Sequence, residues 1–483
     1  MNNAIRHTWL VSVGLFVVLF AALSLIQVAL TEELNSHPNN VRQVYQDRGA
    51  PRGAITVDGT AIAESVPSEG TNFDYQRVYH DPFLYSGITG FYSIAAESTG
   101  LENSMNDYLT GQSDSQFFDR ITSLFTGETL EGAQVELTLD PELQQLAYDT
   151  IPDGTRGSII VSEVGTGEIK AMASKPSYDT NLLAVHSTSQ FQENIDALSE
   201  EDGLSAYRFR PVYDTIAPGS TFKLIDLVAM LDSGDFDADT VMDNPSEIEL
   251  PQSNRTLSNF FGGICDQQSE ADLHFITAQS CNTPFAETAM EMGQEPIREA
   301  AEAFGWNQNI DFPLTVSPSQ FPEVGSDAEL AYASIGQASV TSTPLQMNMV
   351  AMAIANGGTL MQPTLIESVR AADLQVIERS EPEVFGEPIS EDVAEELTEL
   401  MQGPVESGTA WRGQSDRFDI AAKTGTAQIG DDSNLVHSWI TGFAPADDPQ
   451  YAVTVVYERI DYDYGSSLTA PNMRTMLEAV IEE

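Results

Sequence analysis

The stretch Ala217-Pro218-Gly219-Ser220-Thr221-Phe222-Lys223, followed by the apolar run 224–231, organises the rest of the chain. Its Pro-Gly pair interrupts whatever precedes it, and apolar residues then recur at helical spacing, so a buried helix is predicted to begin at or near Ser220. Lys223 lies three residues further on, on the same face of the first turn. A serine hydroxyl is a weak nucleophile until a base takes its proton, and a lysine kept neutral by burial or by neighbouring cations is such a base.

Taken alone, this pattern is loose, and a helix-capping serine beside a surface lysine is the simpler interpretation. The low lysine content favours the interpretation that Ser220 and Lys223 are a nucleophile and its base. Of the 21 basic residues only four are lysine, and the other 17 are arginine. These four are Lys170, Lys175, Lys223 and Lys423. Few lysines are therefore available to fall into such a pattern by chance.

Length and composition indicate folded domains with an acidic surface. A chain of 483 residues with 41% hydrophobic residues is too long for one ordinary core, so two or more domains are expected. The net charge of −52 is spread along the chain and excludes nucleic acid as a partner, because nucleic acid requires basic patches. It also argues against binding of anionic lipid by the folded part. A solvated acidic surface suits an extracellular or high-salt setting.

The N-terminal segment reads as a membrane anchor. Residues 9–30 carry no charge over a length that spans a bilayer as a helix. Arg6 precedes this run and Glu32 follows it, so the positive-inside rule predicts a cytoplasmic tail at 1–8 and an extracytoplasmic remainder. A cleaved signal peptide is the competing interpretation, but the run is long and lacks a clear small-x-small exit. The expected location is the plasma membrane, with a single pass.

Beyond the anchor, the pattern divides the chain in two. Residues 31–50 are polar and are predicted to be a linker within a smaller, mixed domain at 31–133. A short strand in that domain leads into an Asp58-Gly59 turn. The larger domain, 134–483, opens with a strand that runs into a helix capped by Asp140.

The larger domain is predicted to be α/β (α+β), an antiparallel sheet flanked by helices. A hairpin is expected from the turn at 164–167, and Thr343 with Gln346 predicts a capping box. The expected helices are 344–356, 391–401 and 473–482. The expected late strands are 418–422, 438–443 and 451–457, the first running into Lys423.

Three separated clusters carry the chemistry: Ser220-Thr221-Phe222-Lys223, Ser280-Cys281-Asn282 and Lys423-Thr424-Gly425-Thr426. In this order they resemble the motif set of the penicillin-binding proteins and serine β-lactamases, with cysteine at the centre of the second motif. The anchor, Arg52-Gly53, the smaller domain as a pedestal or dimerisation-type domain, and a transpeptidase-like domain resemble a class B penicillin-binding protein. The order of features is most similar to the actinobacterial elongation and division type.

This resemblance implies a serine-type D-Ala-D-Ala transpeptidase. Ser220 would attack the D-Ala–D-Ala carbonyl of a stem peptide and form an acyl-enzyme, with Lys223 as its base. Lys423, a second cation across the cleft, would help to lower the pKa of Lys223. Ser280 would relay a proton to the departing D-alanine.

The remaining motif residues would bind the substrate. Asn282 would meet the peptide amide, and Lys423 would attract the terminal carboxylate beside Thr424, Gly425 and Thr426. By family analogy, the backbone N–H groups of Ser220 and Thr426 would form the oxyanion hole.

The resemblance also implies partners. These are peptidoglycan stem peptides ending in D-Ala-D-Ala, β-lactam antibiotics, a SEDS-type glycosyltransferase with divisome proteins, and the lipid bilayer through the N-terminal helix. No cofactor and no metal are implied, because the six histidines lack ligand spacing; His437 is expected in a polar network.

The sequence also allows two other functions and one disulfide bond. Water could deacylate the enzyme, as in a D,D-carboxypeptidase or a β-lactamase, although the size and the pedestal argue against both. A non-catalytic division scaffold or β-lactam sensor is the third interpretation. Cys265 and Cys281 are a disulfide candidate in an exported chain, and a bond would stiffen the loop between Ser280 and Asn282.

Overall fold

The computed structural model describes residues 2–25, 51–68, 73–94, 96–117, 131–199, 203–259, 263–430 and 432–481. The predicted linker at 31–50 and the end of the predicted anchor at 26–30 lie outside these residues. The strands are β1 (Ile55–Val57), β2 (Thr60–Pro67), β3 (Tyr75–Tyr79), β4 (Gln134–Leu137), β5 (Arg156–Glu163), β6 (Ile169–Lys175), β7 (Val241–Asp243), β8 (Glu247–Glu249), β9 (Thr256–Ser258), β10 (Glu270–Asp272), β11 (Leu360–Met361), β12 (Ile366–Arg370), β13 (Val376–Arg379), β14 (Val384–Gly386), β15 (Ala421–Ile429), β16 (Asp432–Ala444) and β17 (Tyr451–Asp461).

The α-helices are α1 (Asn2–Ser24), α2 (Pro82–Thr89), α3 (Gly100–Ser104), α4 (Asn106–Leu109), α5 (Pro141–Thr150), α6 (Thr188–Ser199), α7 (Arg210–Tyr213), α8 (Lys223–Asp232), α9 (Leu273–Gln279), α10 (Thr283–Met292), α11 (Gln294–Ala303), α12 (Asp327–Ser334), α13 (Pro344–Ala355), α14 (Glu391–Glu406) and α15 (Tyr462–Val480).

The N-terminal helix is long and apolar enough to cross a membrane. Residues Ile5–Ser24 form this candidate span, and none of it is buried against the rest of the protein. Twenty helical residues extend about 30 Å, the thickness of the hydrocarbon core of a bilayer. The helix begins at Asn2, so most of the tail expected at 1–8 continues the same helix.

The pedestal is built on a six-stranded sheet in the order β13-β12-β4-β1-β2-β3. The predicted turn joins β1 to β2: both Asp58 and Gly59 have positive φ, 48° and 70°, as a tight hairpin turn requires. β4 pairs in parallel with β1, and β12 pairs antiparallel with β4. The sheet therefore contains strands on both sides of the domain boundary expected at residue 133, because β4, β12 and β13 come from the larger domain.

A buried ionic cluster ties the start of the pedestal together. Glu102 accepts from Nε of Arg52 at 2.8 Å and from Nε of Arg77 at 2.5 Å. The hydroxyl of Tyr79 donates to the same carboxylate. The two guanidinium groups hold the pKa of Glu102 below its usual value, against the opposing effect of burial. The buried carboxylate of Glu102 thus holds together the segments that carry Arg52, Arg77 and Glu102.

The larger domain is organised on an antiparallel five-stranded sheet, β15-β16-β17-β5-β6. Alternate residues of β17 point to opposite faces: Ala452 and Val456 join one core, and Val453 and Val455 join the other. Helices α8 and α13 contribute to the first core, and α5 and α15 to the second. Helices on both faces explain why β17 is buried on both faces from Ala452 to Glu458. The predicted sheet with flanking helices is therefore confirmed.

Two prolines cause the largest errors in helix boundaries. α14 continues past the predicted end at 401 to Glu406 and contains Pro404. α15 begins at Tyr462 and contains Pro471, whereas the sequence predicts a start at 473. Proline interrupts helices in general, but here both helices are held by packing: α14 lies against β15, and α15 lies against β16 and β17.

The helix caps follow the sequence closely, with one exception. Asp140 accepts from Leu143 N at 2.7 Å and begins α5, and Thr343 accepts from Gln346 N at 3.1 Å and begins α13. The reciprocal half of the predicted capping box is wrong. The Gln346 side chain donates instead to the carbonyl of Phe304.

Candidate active site

The segment around Ser220 forms a tight turn before the helix. Residues Gly219–Phe222 form a 3-10 turn, and α8 begins at Lys223 instead of at Ser220. Gly219 has φ of +55°, and a Cβ built on it would lie 2.5 Å from the carbonyl oxygen of Thr426. Only glycine fits this position, because both the backbone conformation and the space exclude a side chain. The turn is thereby pressed against β15.

Hydrogen bonds from two neighbouring segments hold the turn. Gly219 N donates to Gly336 O at 2.9 Å, and the indole N–H of Trp439 donates to Ala217 O at 3.1 Å. A Cβ on Gly425 would lie 2.6 Å from Pro218 O, so β15 also approaches the turn closely. Ser220 is thus fixed by backbone contacts and by one indole.

Lys223 is fully buried, with its ammonium group directed at the second motif. Nζ donates to Ser280 O at 2.8 Å, Cys281 O at 2.7 Å and Oδ1 of Asn282 at 2.9 Å. Within the described residues, no hydrogen bond joins Nζ to the Ser220 hydroxyl. A lysine ammonium has three donors, so these acceptors use all of them. Taking a proton from Ser220 requires the neutral amine, which donates two bonds and keeps one lone pair.

Burial favours the neutral, unprotonated form of the Lys223 amine. Desolvation, and then repulsion by Lys423, lower the pKa of Lys223 well below its usual value, while Asp226 acts in the opposite direction. Asp226 lies three residues along α8, and burial raises the pKa of its carboxyl well above the usual value. A protonated, uncharged Asp226 exerts little attraction on the lysine, so the lowering effects prevail.

Ser280 lies between the two lysines. Its hydroxyl accepts from Nζ of Lys423 at 2.7 Å and lies 3.5 Å from Nζ of Lys223. Its backbone is left-handed, with φ of 58°, at the end of α9, and this strained conformation for a non-glycine residue turns the side chain into the cleft. The hydroxyl is placed to pass a proton between the two amines.

Lys423 lies inside β15, where the sequence predicted the end of a strand. β15 runs from Ala421 to Ile429 and pairs with β16, Lys423 opposite Thr441. The lysine side chain is fully buried, and burial lowers its pKa to about 7. Lys423 therefore changes charge near neutral pH.

Asn282 is engaged by the protein on both ends of its amide. Oδ1 accepts from Lys223, and Nδ2 donates to Ser258 O at 3.1 Å. Its backbone N–H donates to Oδ1 of Asn259 at 2.7 Å. One hydrogen of the Asn282 amide remains for a substrate. The contacts of Asn282 therefore position the amine of Lys223 and leave one donor for a peptide.

All three motifs open into one cleft. Its volume is about 860 Å³, and Ser220, Ser280, Asn282, Thr424 and Thr426 all line it. Gly425 lines it as well. Lys223 and Lys423 are buried behind the wall, but both amines lie near the Ser280 hydroxyl, so the structure brings all the predicted catalytic and substrate-binding residues together.

The structure joins Cys265 and Cys281 by a disulfide. Cys265 lies in a 3-10 turn, Ile264–Gln267, and lines the cleft together with Ile264 and Asp266. Cys281 separates Ser280 from Asn282, so the bond ties one wall of the cleft to the second motif.

Two residues at the cleft carry no recognisable sequence pattern. The hydroxyl of Thr409 lies 2.5 Å from that of Thr424, and the side chain of Gln337 donates to Thr426 O. Each comes from a segment distant in sequence, and an isolated Thr or Gln has no distinguishing pattern. The polar network predicted for His437 does not include its Nδ1, which is buried without a hydrogen-bond partner among the described residues. Burial, with the nearby Arg459, lowers the pKa of His437 to about 4.

Known proteins resemble this chain over its whole length. The family model for the penicillin-binding protein transpeptidase domain matches residues 157–478, and that for the penicillin-binding protein A dimerisation domain matches residues 52–135. The peptidoglycan D,D-transpeptidase PbpA of Mycolicibacterium smegmatis is 37% identical over 100% of both chains. PbpA of Mycobacterium tuberculosis is 34% identical over 100% of this chain and 99% of its own.

Solved structures of a related protein are similar to this chain over most of its length. Penicillin-binding protein A from M. tuberculosis as a penicillin G acyl-enzyme complex has a TM-score of 0.83 and 35% identity, covering 90% of this chain and 100% of its own. The ceftriaxone acyl-enzyme complex of that protein has a TM-score of 0.85 and 34% identity, covering 91% and 100%.

Proposed function

The chain belongs to the penicillin-binding protein transpeptidase family and is a serine-type peptidoglycan D,D-transpeptidase, and we propose that Ser220 is the residue that it acylates. The observation that carries the assignment is the pair of buried lysines whose amines meet at the Ser280 hydroxyl beside the Ser220 turn. The acyl-enzyme complexes of the M. tuberculosis protein support the same chemistry here.

Acylation begins with neutral Lys223 removing the proton from the Ser220 hydroxyl. The oxygen attacks the carbonyl carbon of the penultimate D-alanine, and the carbonyl oxygen becomes an oxyanion. The backbone N–H groups of Ser220 and Thr426 would stabilise that charge; a donor of this kind contributes about 2.7–4 kcal/mol in other hydrolases. The C–N bond then breaks.

The departing D-alanine needs a proton on its nitrogen. Ser280 supplies it and is reprotonated by the lysine ammonium groups at 2.7 and 3.5 Å from its oxygen. Proton transfer by a positioned group contributes typically about 10²–10⁴-fold in rate. The acceptor amine of a second stem then attacks the ester, its proton leaves through the same groups, and Ser220 is released.

Substrate binding relies on the third motif. The ammonium of Lys423 attracts the terminal carboxylate of the D-Ala-D-Ala stem, and the hydroxyls of Thr424 and Thr426 lie beside it on β15. Gly425, between them, has no side chain and so lets β15 approach the turn that carries Ser220. Asn282 positions the amine of Lys223 and has one amide hydrogen for the peptide.

The N-terminal helix supports a single-pass anchor in the plasma membrane with the catalytic domain outside the cytoplasm. Charge around the helix carries that orientation, because Arg6 precedes it and Glu32 follows it. The domain division at 133/134 belongs to the same proposal. A membrane-bound glycan polymerase of the SEDS type and other division proteins are the expected partners, since crosslinking requires freshly polymerised strands.

Labelling with a fluorescent penicillin tests the site. The full-length protein in detergent should bind the label covalently, and mass mapping should place it on the peptide containing Ser220. Ser220→Ala should abolish labelling. Ser466→Ala removes another serine of the same cleft and should label normally. Labelling that persists in Ser220→Ala, or that maps elsewhere, would contradict the assignment.

Transpeptidation and hydrolysis are separated by adding an acceptor amine. Incubation with a D-Ala-D-Ala stem and an amine should give the amide product in excess over the free acid. A dominant free acid would instead indicate the carboxypeptidase reaction, in which water takes the acyl group.

A further inference from the structure

A second concave surface is formed by residues of the segment 411–417 together with two residues of α15. Its volume is about 580 Å³, and it is here called the Trp411 surface. It is lined by Trp411, Arg412, Gln414, Asp416, Arg417, Arg474 and Glu478. Three of the 17 arginines of the chain therefore meet in one small area of a protein whose net charge is −52.

The arginines at this surface are not paired with acidic side chains. Within the described part of the chain, none of the three forms a salt bridge. Arg417 donates to the backbone carbonyls of Glu478 and Ile481, and Arg474 to that of Gln414. The guanidinium of Arg412 lies 5.3 Å from the ring centroid of Trp411, a cation–π contact that holds the two side chains together.

Trp411 is 57% exposed, so an aromatic side chain faces solvent beside the Arg412 guanidinium. It begins a short 3-10 turn, Trp411–Gly413, that contacts α14 and α15. An exposed aromatic ring beside an unpaired guanidinium offers both apolar contact and charge to one ligand.

The surface lies close to the active site along the chain. Thr409 lines the catalytic cleft and touches the hydroxyl of Thr424 in the third motif. Trp411 is two residues further along, and two residues span at most about 7 Å. A ligand whose reacting end lies at Ser220 and Thr424 therefore reaches the Trp411 surface within a few of its own residues.

We propose that the Trp411 surface binds a carboxylate-bearing stem peptide of the wall polymer, next to the stem that reacts. Arg412 receives the carboxylate in a two-point contact, and the Trp411 ring packs against the apolar part of the same peptide. This inference rests on the proposed function, because it takes the polymer of that reaction as the ligand.

The charge of the surface favours a peptide over a polyanion. Asp416 and Glu478 also line it, so three positive and two negative side chains leave it with one net positive charge. An anionic membrane or a nucleic acid requires many basic contacts, whereas one guanidinium suffices for one carboxylate.

The experiment compares Arg412→Gln and Trp411→Ala in the full-length protein in detergent. Two matched controls remove an exposed arginine from β13, Arg379→Gln, and an exposed ring from α2, Phe83→Ala. The probes are soluble uncrosslinked peptidoglycan strands, the same strands with their stems removed, and a fluorescent penicillin.

Both test variants should bind intact strands about tenfold more weakly than the native protein, and the loss for Arg412→Gln should shrink as salt is added. The controls should bind as the native protein does. Penicillin acylation should be unchanged in all four variants, which separates this inference from the assignment of Ser220. Normal strand binding by Arg412→Gln would overturn it, as would a tenfold loss that persists on strands without stems.

Discussion

The hydroxyl of Ser280 lies 2.7 Å from the buried amine of Lys423, although the two residues are 143 positions apart in sequence. This contact connects the proposed substrate-binding motif to the proposed proton-transfer group. Because the same hydroxyl also lies near Lys223, removing it should interrupt proton transfer without removing either charge.

Ser280→Ala should therefore lower the rate of acylation by about 10²–10⁴-fold, the usual contribution of a positioned proton donor. The thermal unfolding temperature should change little, because the hydroxyl lines the cleft. Stopped-flow labelling with penicillin measures the rate, and Ser466→Ala serves as the control. A rate within twofold of the native protein would show that Ser280 moves no proton.

The pH dependence of acylation should reflect Lys423. With a pKa of about 7, it loses its proton as the pH rises through neutrality, and with that proton its bond to Ser280 and its attraction for a carboxylate. The second-order rate of acylation by a carboxylate-bearing penicillin should therefore fall above about pH 7. Lys423→Arg should move this fall to higher pH, since arginine stays charged. A fall at the same pH in both proteins would assign it to another group.

Asp226 should make the protein less stable as the pH rises. Burial raises its pKa well above the usual value, so the folded protein holds the proton more tightly than the unfolded chain does. The resulting stability is complete below the usual pKa of an aspartate and is lost as the pH rises through the raised pKa. Asp226→Asn keeps the shape without the titration. Its unfolding temperature should exceed that of the native protein increasingly from acidic to neutral pH; a constant difference would contradict the prediction.

Glu102→Gln should destabilise the pedestal strongly. The carboxylate neutralises Arg52 and Arg77, and all three side chains are buried. Removing one partner of a buried ion pair typically costs about 3–5 kcal/mol, because the remaining charge is left uncompensated. Chemical unfolding should show the loss. The exposed pair of His80 and Glu64 provides the control, and Glu64→Gln should cost less than about 1 kcal/mol.

The disulfide should contribute to both stability and catalysis. Its cysteines are 16 positions apart, and a loop of that size corresponds to about 3 kcal/mol of stabilisation. The double variant Cys265→Ser/Cys281→Ser should unfold more easily and should acylate more slowly, because the loop that carries Ser280 and Asn282 is less fixed. Intact mass after alkylation, with and without reductant, first establishes the bond. Unchanged acylation in the double variant would limit its role to stability.

The three motifs and the main sheet could be predicted because their signals are local. Asp140 and Thr343 cap helices through bonds that span three residues, and β15, β16 and β17 are joined by short connections. Each such pattern is complete within about ten residues, so the printed sequence contains it.

Contacts between distant segments could not be predicted in this way. Trp439 reaches the carbonyl of Ala217, and Thr409 reaches Thr424, through packing that no spacing rule encodes. The helix boundaries near Pro404 and Pro471 were predicted incorrectly for a related reason. The packing of the whole helices outweighed the local cost of a proline inside them.

The shared pedestal sheet has a consequence for biosynthesis. Leu137 in β4 pairs with Ile366 in β12, so the ribosome must add more than two hundred further residues before the partner strand exists. At about 5–20 residues per second, the nascent β4 waits roughly 10 to 50 s with one edge unpaired. An expression fragment that stops before residue 366 never receives that partner, so the pedestal should be produced only as part of a chain that extends through β13.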